Sequence, residues 1–339
     1  MKKIVVVVDN SGPATYLVHL IKHNLKVYQW VVVTNKNSAA HRVFTEEGLR
    51  CLLKENKLEP VKFLAKIRPD FLLCATGWSG FELPYTRVAK SSGLPNAVIF
   101  DNWNSQRERF GYPAKDWRKN LPDYIFVCDT EAYRLAKKFN FKNLIKLNNY
   151  YFVDILKQRI NKAQTNQSQT VLYISETLSF LQNSKYSKEI SIDGEKVVLE
   201  KILKNFSKFT SCFGVNKLII RLHPSETVLT KYDFFKKQYP NLIIEIEKPQ
   251  NKPLMSSLQE ANMVLGQNSM GLFIAFLLGK ITVALSLNKN KTILPLPANC
   301  VVQEVDDIFE LKLANNLPYI KKLLFAETYN LGVALKKII

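Results

Sequence analysis

The sequence predicts an α/β fold made of two Rossmann-like domains that face each other across a cleft. Short β-branched apolar runs alternate with helical patterns through the first half of the chain, as in a parallel, doubly wound sheet. The same alternation starts again in the second half, after a polar stretch at 161–169. With 339 residues and 47% hydrophobic residues, the chain is long enough for two domains of ordinary size. We therefore predict an N-terminal domain at 1–160 and a C-terminal domain at 161–339.

The N-terminal half contains six apolar runs of strand length, separated by helical patterns. The predicted strands are 4–8, 30–34, 71–75, 97–100, 124–128 and 144–147. The predicted helices are 14–23, 39–54, 60–67, 83–91 and 131–139. The turn that follows the first strand lacks the G-x-G-x-x-G spacing, which argues against a domain that binds NAD.

The C-terminal half repeats this organisation after the linker predicted at 161–169. The predicted strands are 171–174, 217–222, 242–246, 264–266 and 281–285. The predicted helices are 195–206, 232–238, 254–261 and 272–278. A stretch at 181–191 is predicted to be a loop.

Composition excludes several classes of protein. The five cysteines are scattered without a C-x-x-C pair, which predicts free thiols in a reducing compartment, and the four histidines make a His-rich metal site improbable. No apolar run is long enough to span a membrane, and the apolar run near the N-terminus is too short for a signal peptide. We therefore predict a cytoplasmic protein without a bound metal or cofactor.

The formal net charge of +19 has three explanations. A composition rich in Lys and Asn can follow from an AT-rich genome, and dispersed lysine pairs are also suited to anionic lipid at the inner face of the cytoplasmic membrane. Nucleic-acid binding is disfavoured because the basic residues are spread along the chain and no nucleic-acid module is recognisable. We favour a combination of the first two explanations.

Two segments in the second half carry the most information about function. In 218–226, an apolar run delivers His223 to the carboxyl edge of the predicted sheet, and Pro224 ends the strand. In 263–280, an apolar strand is followed by a turn and an apolar helix, so Ser269 lies near a helix N-terminus, where N–H groups and the helix dipole favour a phosphate. Both segments predict ligand-binding loops of an open α/β sheet.

With this order of elements, the chain resembles GT-B glycosyltransferases, and in pattern it is most similar to sialyltransferase-like and Kdo-transferase-like bacterial enzymes that use CMP-sugars. In those groups a His-Pro motif contacts the cytidine monophosphate, and a Ser or paired Ser-Ser/Thr motif at a helix N-terminus binds phosphate. His223-Pro224 and Ser269 stand at these places. The paired Ser motif is absent, since 267–270 is Gln-Asn-Ser-Met, and the acidic triplet that often holds the sialyltransferase base is missing.

The predicted donor-binding residues follow the strands of the C-terminal half. They are Ser175, Glu176, Arg221, His223, Pro224, Ser225, Glu226, Gln267, Asn268 and Ser269. Two of them have a structural alternative, because Arg221 could be a surface charge and Glu226 a helix-capping acid.

A catalytic base is expected at a strand end of the N-terminal half, because an inverting transfer requires a carboxylate that accepts the proton of the acceptor hydroxyl. Glu82 follows a loop with two glycines and is the first candidate, and a carboxylate that interacts with the helix dipole is the alternative. Asp101 is the second candidate base, with a turn former as its alternative.

The predicted acceptor-binding residues lie in the loops around these two carboxylates. They are Asp9, Asn10, Ser11, Trp78, Ser79, Trp103, Arg107 and Arg109. Arg107 or Arg109 is expected to recognise an anionic group. The structural alternatives are a helix cap for Ser11 and a packing role for Trp103.

Together these expectations describe an inverting, metal-independent glycosyltransferase. It would move a nonulosonic acid or Kdo from a CMP-sugar to a polysaccharide, lipopolysaccharide or lipid-linked glycan at the cell surface. Its partners would be the nucleotide sugar, the glycan acceptor and, peripherally, an anionic membrane, with no nucleic acid. The alternatives are a UDP-sugar-dependent glycosyltransferase, or a UDP-sugar epimerase or hydrolase of the same fold.

Overall fold

The computed structural model describes residues 1–54, 59–77, 79–161, 169–176, 195–224, 226, 228–286, 292–311 and 316–339. The loop predicted at 181–191 and most of the linker predicted at 161–169 lie outside these residues. Within the described part of the chain, no helix has the length and apolar character needed to cross a membrane.

The chain forms two compact units. Unit 1 contains Met1–Asp154 and Pro318–Ile339, and unit 2 contains Ile155–Leu317. The first division lies six residues before the boundary predicted from the sequence, but the C-terminal segment belongs to unit 1 rather than to the second domain. The expected acceptor and donor roles of the two domains remain predictions.

Strands and helices alternate along both units. The strands are β1 Lys3–Val7, β2 Gln29–Asn35, β3 Cys51–Lys54, β4 Phe71–Cys74, β5 Asn96–Phe100, β6 Tyr124–Val127, β7 Leu144–Lys146, β8 Thr170–Ile174, β9 Lys217–Arg221, β10 Ile243–Glu247, β11 Met263–Gly266, β12 Ile281–Leu285 and β13 Val301–Val302. The helices are α1 Ser11–Lys22, α2 Ala39–Glu46, α3 Pro60–Ile67, α4 Leu83–Ser91, α5 Thr130–Lys138, α6 Tyr150–Asn161, α7 Glu195–Lys204, α8 Phe206–Phe213, α9 Asp233–Gln238, α10 Leu254–Glu260, α11 Met270–Leu278, α12 Leu317–Phe325 and α13 Leu331–Lys336.

Unit 1 is built on a seven-stranded sheet in the order β3-β2-β1-β4-β5-β6-β7. Its strand pairs are all parallel. The central strand β1 is a β-branched run with four fully buried positions, because helices cover both faces of such a sheet. The strand order reverses between β1 and β4, which makes their carboxyl ends the expected ligand-binding edge.

The C-terminal segment completes unit 1 at its far edge. Tyr329 donates its backbone N–H to Lys146 O and accepts from Asn148 N–H, both at 2.9 Å, so it pairs beside β7. Leu331 and Leu335 of α13 are buried in the same hydrophobic core as the residues of β1. The segment therefore packs on unit 1 although it is last in the chain.

The helix predicted at 39–54 is wrong in its second half. Helix α2 ends at Glu46, and Gly48 has a φ of 72°, which a side chain rarely adopts. The chain then forms β3, which pairs in parallel with β2 at the edge of the sheet. A pairing partner more than 15 residues away thus outweighs the local helical pattern.

Unit 2 is built on a six-stranded parallel sheet in the order β10-β9-β8-β11-β12-β13. Helix α11 follows β11, and most of its residues are fully buried. Gly271 allows this close packing, because a Cβ at this position would lie 2.7 Å from Ile174 Cδ1. The strand order reverses between β8 and β11, so the ligand-binding edge of unit 2 is expected at their carboxyl ends.

Candidate functional site

The sheet edge of unit 1 brings together polar groups from three strand ends. Asp9 follows β1, Thr76 follows β4 and Asp101 follows β5, and these strands are neighbours. Asp9 Oδ1 accepts a hydrogen bond of 2.9 Å from the Asn35 side-chain amide at the end of β2. The predicted residues at this edge therefore do lie in one part of the fold.

Glu82 points into this edge rather than capping its own helix. One carboxyl oxygen accepts the backbone N–H of Asp9 at 3.1 Å, and the residue is only 2% exposed. Burial raises the pKa of Glu82 to about 7, against the opposing effect of its hydrogen bonds. A carboxyl group with this pKa can exchange a proton near neutral pH.

Gly77 is required by the close approach of these groups. A Cβ at position 77 would collide with Asn10 Oδ1 and would lie 2.9 Å from Glu82 Oε1. Asn10 Oδ1 is itself buried and has no hydrogen-bond partner among the described residues. The edge therefore carries one acceptor that the described part of the protein does not satisfy.

Asp101 forms a buried ion pair with Arg109. The Arg109 Nη1 lies 3.3 Å from Asp101 Oδ1 and 3.1 Å from Thr76 Oγ1, and it also donates to the carbonyl oxygen of Thr76. Burial raises the pKa of Asp101, while the Arg109 charge opposes this shift. Arg109 therefore ties together the loops that follow β4 and β5.

The other predicted acceptor residues do not converge on this edge. Trp103 is buried, and its Nε1 donates to Asp129 at 2.8 Å. The guanidinium carbon of Arg107 lies 4.1 Å from the centroid of the Tyr112 ring, which is a packing contact. Ser11 is the exposed first residue of α1, after the N-cap Asn10. Ser79 is also exposed, and Trp78 lies outside the described residues.

The sheet edge of unit 2 is organised around the N-terminus of α11. Ser269 is the N-cap, and its hydroxyl accepts the Gly271 N–H at 3.2 Å. Asn268 is held by its Oδ1, which accepts from Thr292 Oγ1 at 3.0 Å and from Ile293 N–H at 3.1 Å. The predicted turn and helix start of this segment are therefore present.

Glu176 occupies this helix N-terminus from the neighbouring strand. Its carboxylate accepts the backbone N–H of Asn268, and the Ser269 N–H also stabilises its charged form. Burial nevertheless raises the pKa of Glu176 to about 7, and the nearby Glu195 adds to the shift. The predicted donor-binding residues after β8 and after β11 thus contact each other. The Glu176 carboxylate accepts hydrogen bonds from the N–H groups that were expected to bind phosphate.

Glu195 is a residue of this edge that the sequence analysis missed. It is 2% exposed, and its carboxylate accepts from the Tyr232 hydroxyl at 2.5 Å and from Ser175 Oγ at 3.2 Å. It also binds the Lys231 ammonium and the backbone N–H of Glu176. From the sequence alone, a carboxylate at the first position of a helix is expected to interact with the helix dipole. The partners of Glu195 are up to 37 residues away in the chain, so the sequence held no signal of this role.

His223 lies beside this cluster at the end of β9. Burial lowers its pKa, which favours the neutral imidazole, and the charges of Glu195, Glu226 and Lys231 also act on it. Glu226 forms an ion pair of 3.1 Å with Lys231. The structure thus places His223 and Glu226 in one electrostatic cluster.

The remaining predicted donor residues have other surroundings. Arg221 binds the Glu247 carboxylate, Ser257 Oγ at 3.0 Å and Lys252 O at 2.9 Å, which stabilises the β9–β10 side of the sheet. Gln267 is 9% exposed, and its Oε1 has no hydrogen-bond partner among the described residues. Pro224 is exposed, and Ser225 lies outside the described residues.

Metal ligands were not expected from the sequence. Within the described ranges, no group of three or more His, Cys, Asp or Glu side chains is arranged to hold a metal ion. The cationic and dipolar groups at the two sheet edges include Arg109 in unit 1 and Lys231 and the α11 N-terminus in unit 2.

Comparisons with known proteins show the fold of the chain. No family model matches it, and neither does any curated protein sequence. A UDP-GlcNAc 2-epimerase from Neisseria meningitidis bound to UDP-GlcNAc is 14% identical, with a TM-score of 0.65 over 91% of this chain and 89% of that one. The S. aureus MnaA–UDP structure is 15% identical, with a TM-score of 0.61 over 100% of this chain and 95% of that one. The Methanocaldococcus jannaschii UDP-GlcNAc 2-epimerase in complex with UDP-GlcNAc and UDP is 17% identical, with a TM-score of 0.58 over 92% of this chain and 91% of that one.

These similarities confirm a GT-B-like fold of two parallel-sheet α/β domains. They overturn the expected likeness to sialyltransferase-like and Kdo-transferase-like enzymes, because the similar structures are mainly UDP-GlcNAc 2-epimerases. The predicted reaction is therefore also wrong, including its CMP-sugar donor, the transfer of a nonulosonic acid or Kdo, and the polysaccharide or lipopolysaccharide product. The physical reason is that a His-Pro strand end and a Ser at a helix start arise from the sheet edge itself, and neither group distinguishes cytosine from uracil.

Proposed function

We propose that this chain is an enzyme that acts on a UDP-sugar, as an epimerase or a hydrolase. One observation carries the proposal: the ligand-binding edge of unit 2 combines His223 with the α11 N-terminus in a fold whose similar structures were solved with UDP-GlcNAc or UDP. An N-terminal helix end offers N–H groups and a positive dipole to a diphosphate. The uridine and sugar of those structures belong to those proteins, and their transfer to this chain is part of the proposal.

The chemistry required by an epimerase is compatible with the groups described. Inversion at the carbon beside the anomeric centre balances if loss of its proton forms a C=C bond while the bond from the anomeric carbon to the diphosphate breaks. Return of the proton to the other face and re-formation of the bond to the diphosphate would complete the inversion, and groups with a pKa near the working pH are best suited to these proton transfers. Glu82 has such a pKa, and it remains the first candidate for proton transfer, with Asp101 as the second. The α11 N-terminus and Lys231 would stabilise the negative charge of the diphosphate.

The test is incubation of the protein with UDP-GlcNAc in D₂O without any acceptor, followed by proton NMR of the sugar. We expect deuterium incorporation into an epimerised sugar, or release of free UDP. If UDP-GlcNAc raises the melting temperature but is recovered unchanged, the epimerase or hydrolase activity is wrong and only the nucleotide site remains. If it neither turns over nor stabilises the protein, the whole proposal fails.

Substitution of His223 tests whether the nucleotide binds at the edge of the unit 2 sheet. His223→Ala is expected to remove the stabilisation by UDP-GlcNAc while the circular dichroism spectrum stays unchanged. His41→Ala, which removes a histidine of α2 in unit 1, is the matched control and should retain it. Equal stabilisation of both variants would contradict the role of His223.

A further inference from the structure

The N–H groups at the start of α11 already hold an anion that belongs to the protein. The Glu176 carboxylate accepts the Asn268 N–H, and the Ser269 N–H also stabilises its charge. Glu176 comes from the end of β8, the strand that pairs with β11 on the other side of the strand-order reversal. An internal carboxylate therefore sits where a phosphate would bind in a fold of this type.

A carboxylate and a phosphate cannot use the same N–H donors at once. Each N–H donates one strong hydrogen bond, and two anions in contact repel each other strongly when partly buried. We propose that Glu176 is an internal gate of the phosphate subsite, which must release the Asn268 and Ser269 N–H groups, or take up a proton, before a diphosphate binds. The inference rests on the proposed function and concerns the regulation of that same site.

Burial and a neighbouring carboxylate oppose the charged form of Glu176, whereas the two N–H groups stabilise it. Its own backbone N–H donates to the Glu195 carboxylate, which brings a second negative charge close to the first. The charge of Glu195 in α7 raises the pKa of Glu176, and Tyr173 of β8 also interacts with Glu176. The Lys231 ammonium pairs with Glu195 and Glu226.

Contacts other than those with Glu176 also hold the residues of the subsite. Asn268 is oriented through its own side chain by Thr292 and Ile293, and Ser269 caps α11 by its hydroxyl. Gln267, directly before them, presents a buried Oε1 without a hydrogen-bond partner among the described residues. The donors that Glu176 now uses would therefore stay in place for a ligand.

If Glu176 acts as a gate, the affinity for UDP-GlcNAc should depend on pH although the charge of the ligand does not. UDP-GlcNAc carries a constant charge near neutral pH, because both its phosphates are esterified, whereas Glu176 has a pKa of about 7. The protonated, neutral form of Glu176 predominates below this pH and opposes the diphosphate least. Affinity should therefore fall as the pH rises through 7, by roughly tenfold for each unit well above the pKa if the charged carboxylate fully excludes the ligand.

The experiment is equilibrium binding of UDP-GlcNAc, by calorimetry, from about pH 6 to about pH 8.5. Glu176→Gln removes the charge and leaves only a neutral amide oxygen, a weaker acceptor of the Asn268 N–H that a diphosphate can displace. We expect wild type to lose about tenfold or more in affinity over this range, and Glu176→Gln to bind tightly and with little pH dependence. Glu304→Gln, which removes an exposed carboxylate of unit 2 that pairs with Lys201, is the matched control and should behave like wild type.

Two results would overturn the gate. One is an unchanged pH dependence in Glu176→Gln, and the other is weaker binding by this variant at every pH, which would make Glu176 a ligand-binding or structural group. If Glu176→Gln does not fold by circular dichroism, Glu176→Ala replaces it with the same expectation.

A second probe separates failure of the gate from failure of the proposed function. Sulfate does not titrate in this range and needs no uridine site. If UDP-GlcNAc binds to no variant but sulfate raises the melting temperature of Glu176→Gln more than that of wild type, the gate stands and the UDP-sugar assignment fails. If UDP-GlcNAc binds to no variant and sulfate raises the melting temperatures of wild type and Glu176→Gln equally, the gate and the UDP-sugar assignment both fail.

Discussion

Glu82 in unit 1 and Glu176 in unit 2 make the same kind of contact at the two sheet edges. Each accepts a backbone N–H from the second residue after a neighbouring strand, Asp9 after β1 and Asn268 after β11. Both strand pairs flank the reversal of strand order, and burial raises both pKa values to about 7. The same fold thus produces the same carboxyl–amide contact twice.

The neighbours of the two carboxyl groups differ. Besides burial, the Asp9 carboxylate raises the pKa of Glu82, and Arg109, which pairs with Asp101, lowers it. Besides burial, the Glu195 carboxylate raises the pKa of Glu176. A second carboxylate thus acts on the first in both units, but a buried arginine opposes it in unit 1, whereas Glu176 is held by a helix N-terminus that a ligand would also use.

Removal of Glu195 should have the largest effect on this comparison. Glu195→Ala leaves the Lys231 ammonium and the Tyr232 hydroxyl without their main acceptor, and loss of one partner of a buried charge pair costs about 3–5 kcal/mol in unfolding free energy. Urea unfolding followed by circular dichroism measures this loss. Glu304→Ala removes an exposed carboxylate and should cost about 1 kcal/mol or less. A similar small cost for both variants would show that Glu195 does not organise unit 2.

The pH dependence of stability tests the raised pKa of Glu82. The folded pKa of about 7 lies above the ordinary value of 4.5, so the folded state binds the proton more tightly. The contribution of Glu82 to stability is therefore greatest below pH 4.5 and is lost as the pH rises to 7. From these values the loss is about 3 kcal/mol.

Glu82→Gln removes this titration and keeps an acceptor for the Asp9 N–H. Relative to wild type, the variant should gain about 3 kcal/mol in unfolding free energy when the pH is raised from about 4.5 to about 8. Urea titrations at several pH values supply the measurement. Parallel pH profiles of variant and wild type would mean that Glu82 titrates normally in the folded protein.

The smallest expected effect on unfolding free energy is the loss of a helix cap, which can be compared between the two units. Ser269→Ala removes the cap of α11 in unit 2, and Ser38→Ala removes the cap of α2 in unit 1, where Ser38 accepts the His41 N–H at 3.0 Å. Each should cost about 1 kcal/mol in unfolding free energy. Thermal melts with UDP-GlcNAc should then show a reduced ligand stabilisation for Ser269→Ala alone. Equal reductions in both variants would place the nucleotide away from α11.

Much of the fold was predictable because buried parallel strands have a strong apolar signature. The runs at 4–8, 71–75 and 217–222 each correspond to an observed strand within one residue at either end. Helices α6, α8, α12 and α13 and the two-residue strand β13 were missed. The edge strand β3 was predicted to be helical because its four residues carry no strand signal without β2 beside them.

The site was predictable only as far as strand ends. Glu82, Asp101, Glu176 and Ser269 all come after a predicted strand, and the sequence identified them on that basis. The contacts of Arg107 and Trp103 could not be predicted, because their position in a loop says nothing about the Tyr112 ring and the Asp129 carboxylate that they contact. Whether any of these residues binds a substrate stays a prediction.

The sequence by itself determined two parallel α/β domains and the two short segments that end at the edge of the second sheet. It could do so because apolar periodicity and strand-ending residues are local properties. Only the tertiary structure decided that Glu176 accepts the N–H group of Asn268 beside Ser269, that Glu195 binds both Lys231 and Tyr232, and that residues 318–339 complete unit 1. These contacts join residues that are distant in the chain, and their energies depend on burial and on neighbouring charges, which no local pattern records.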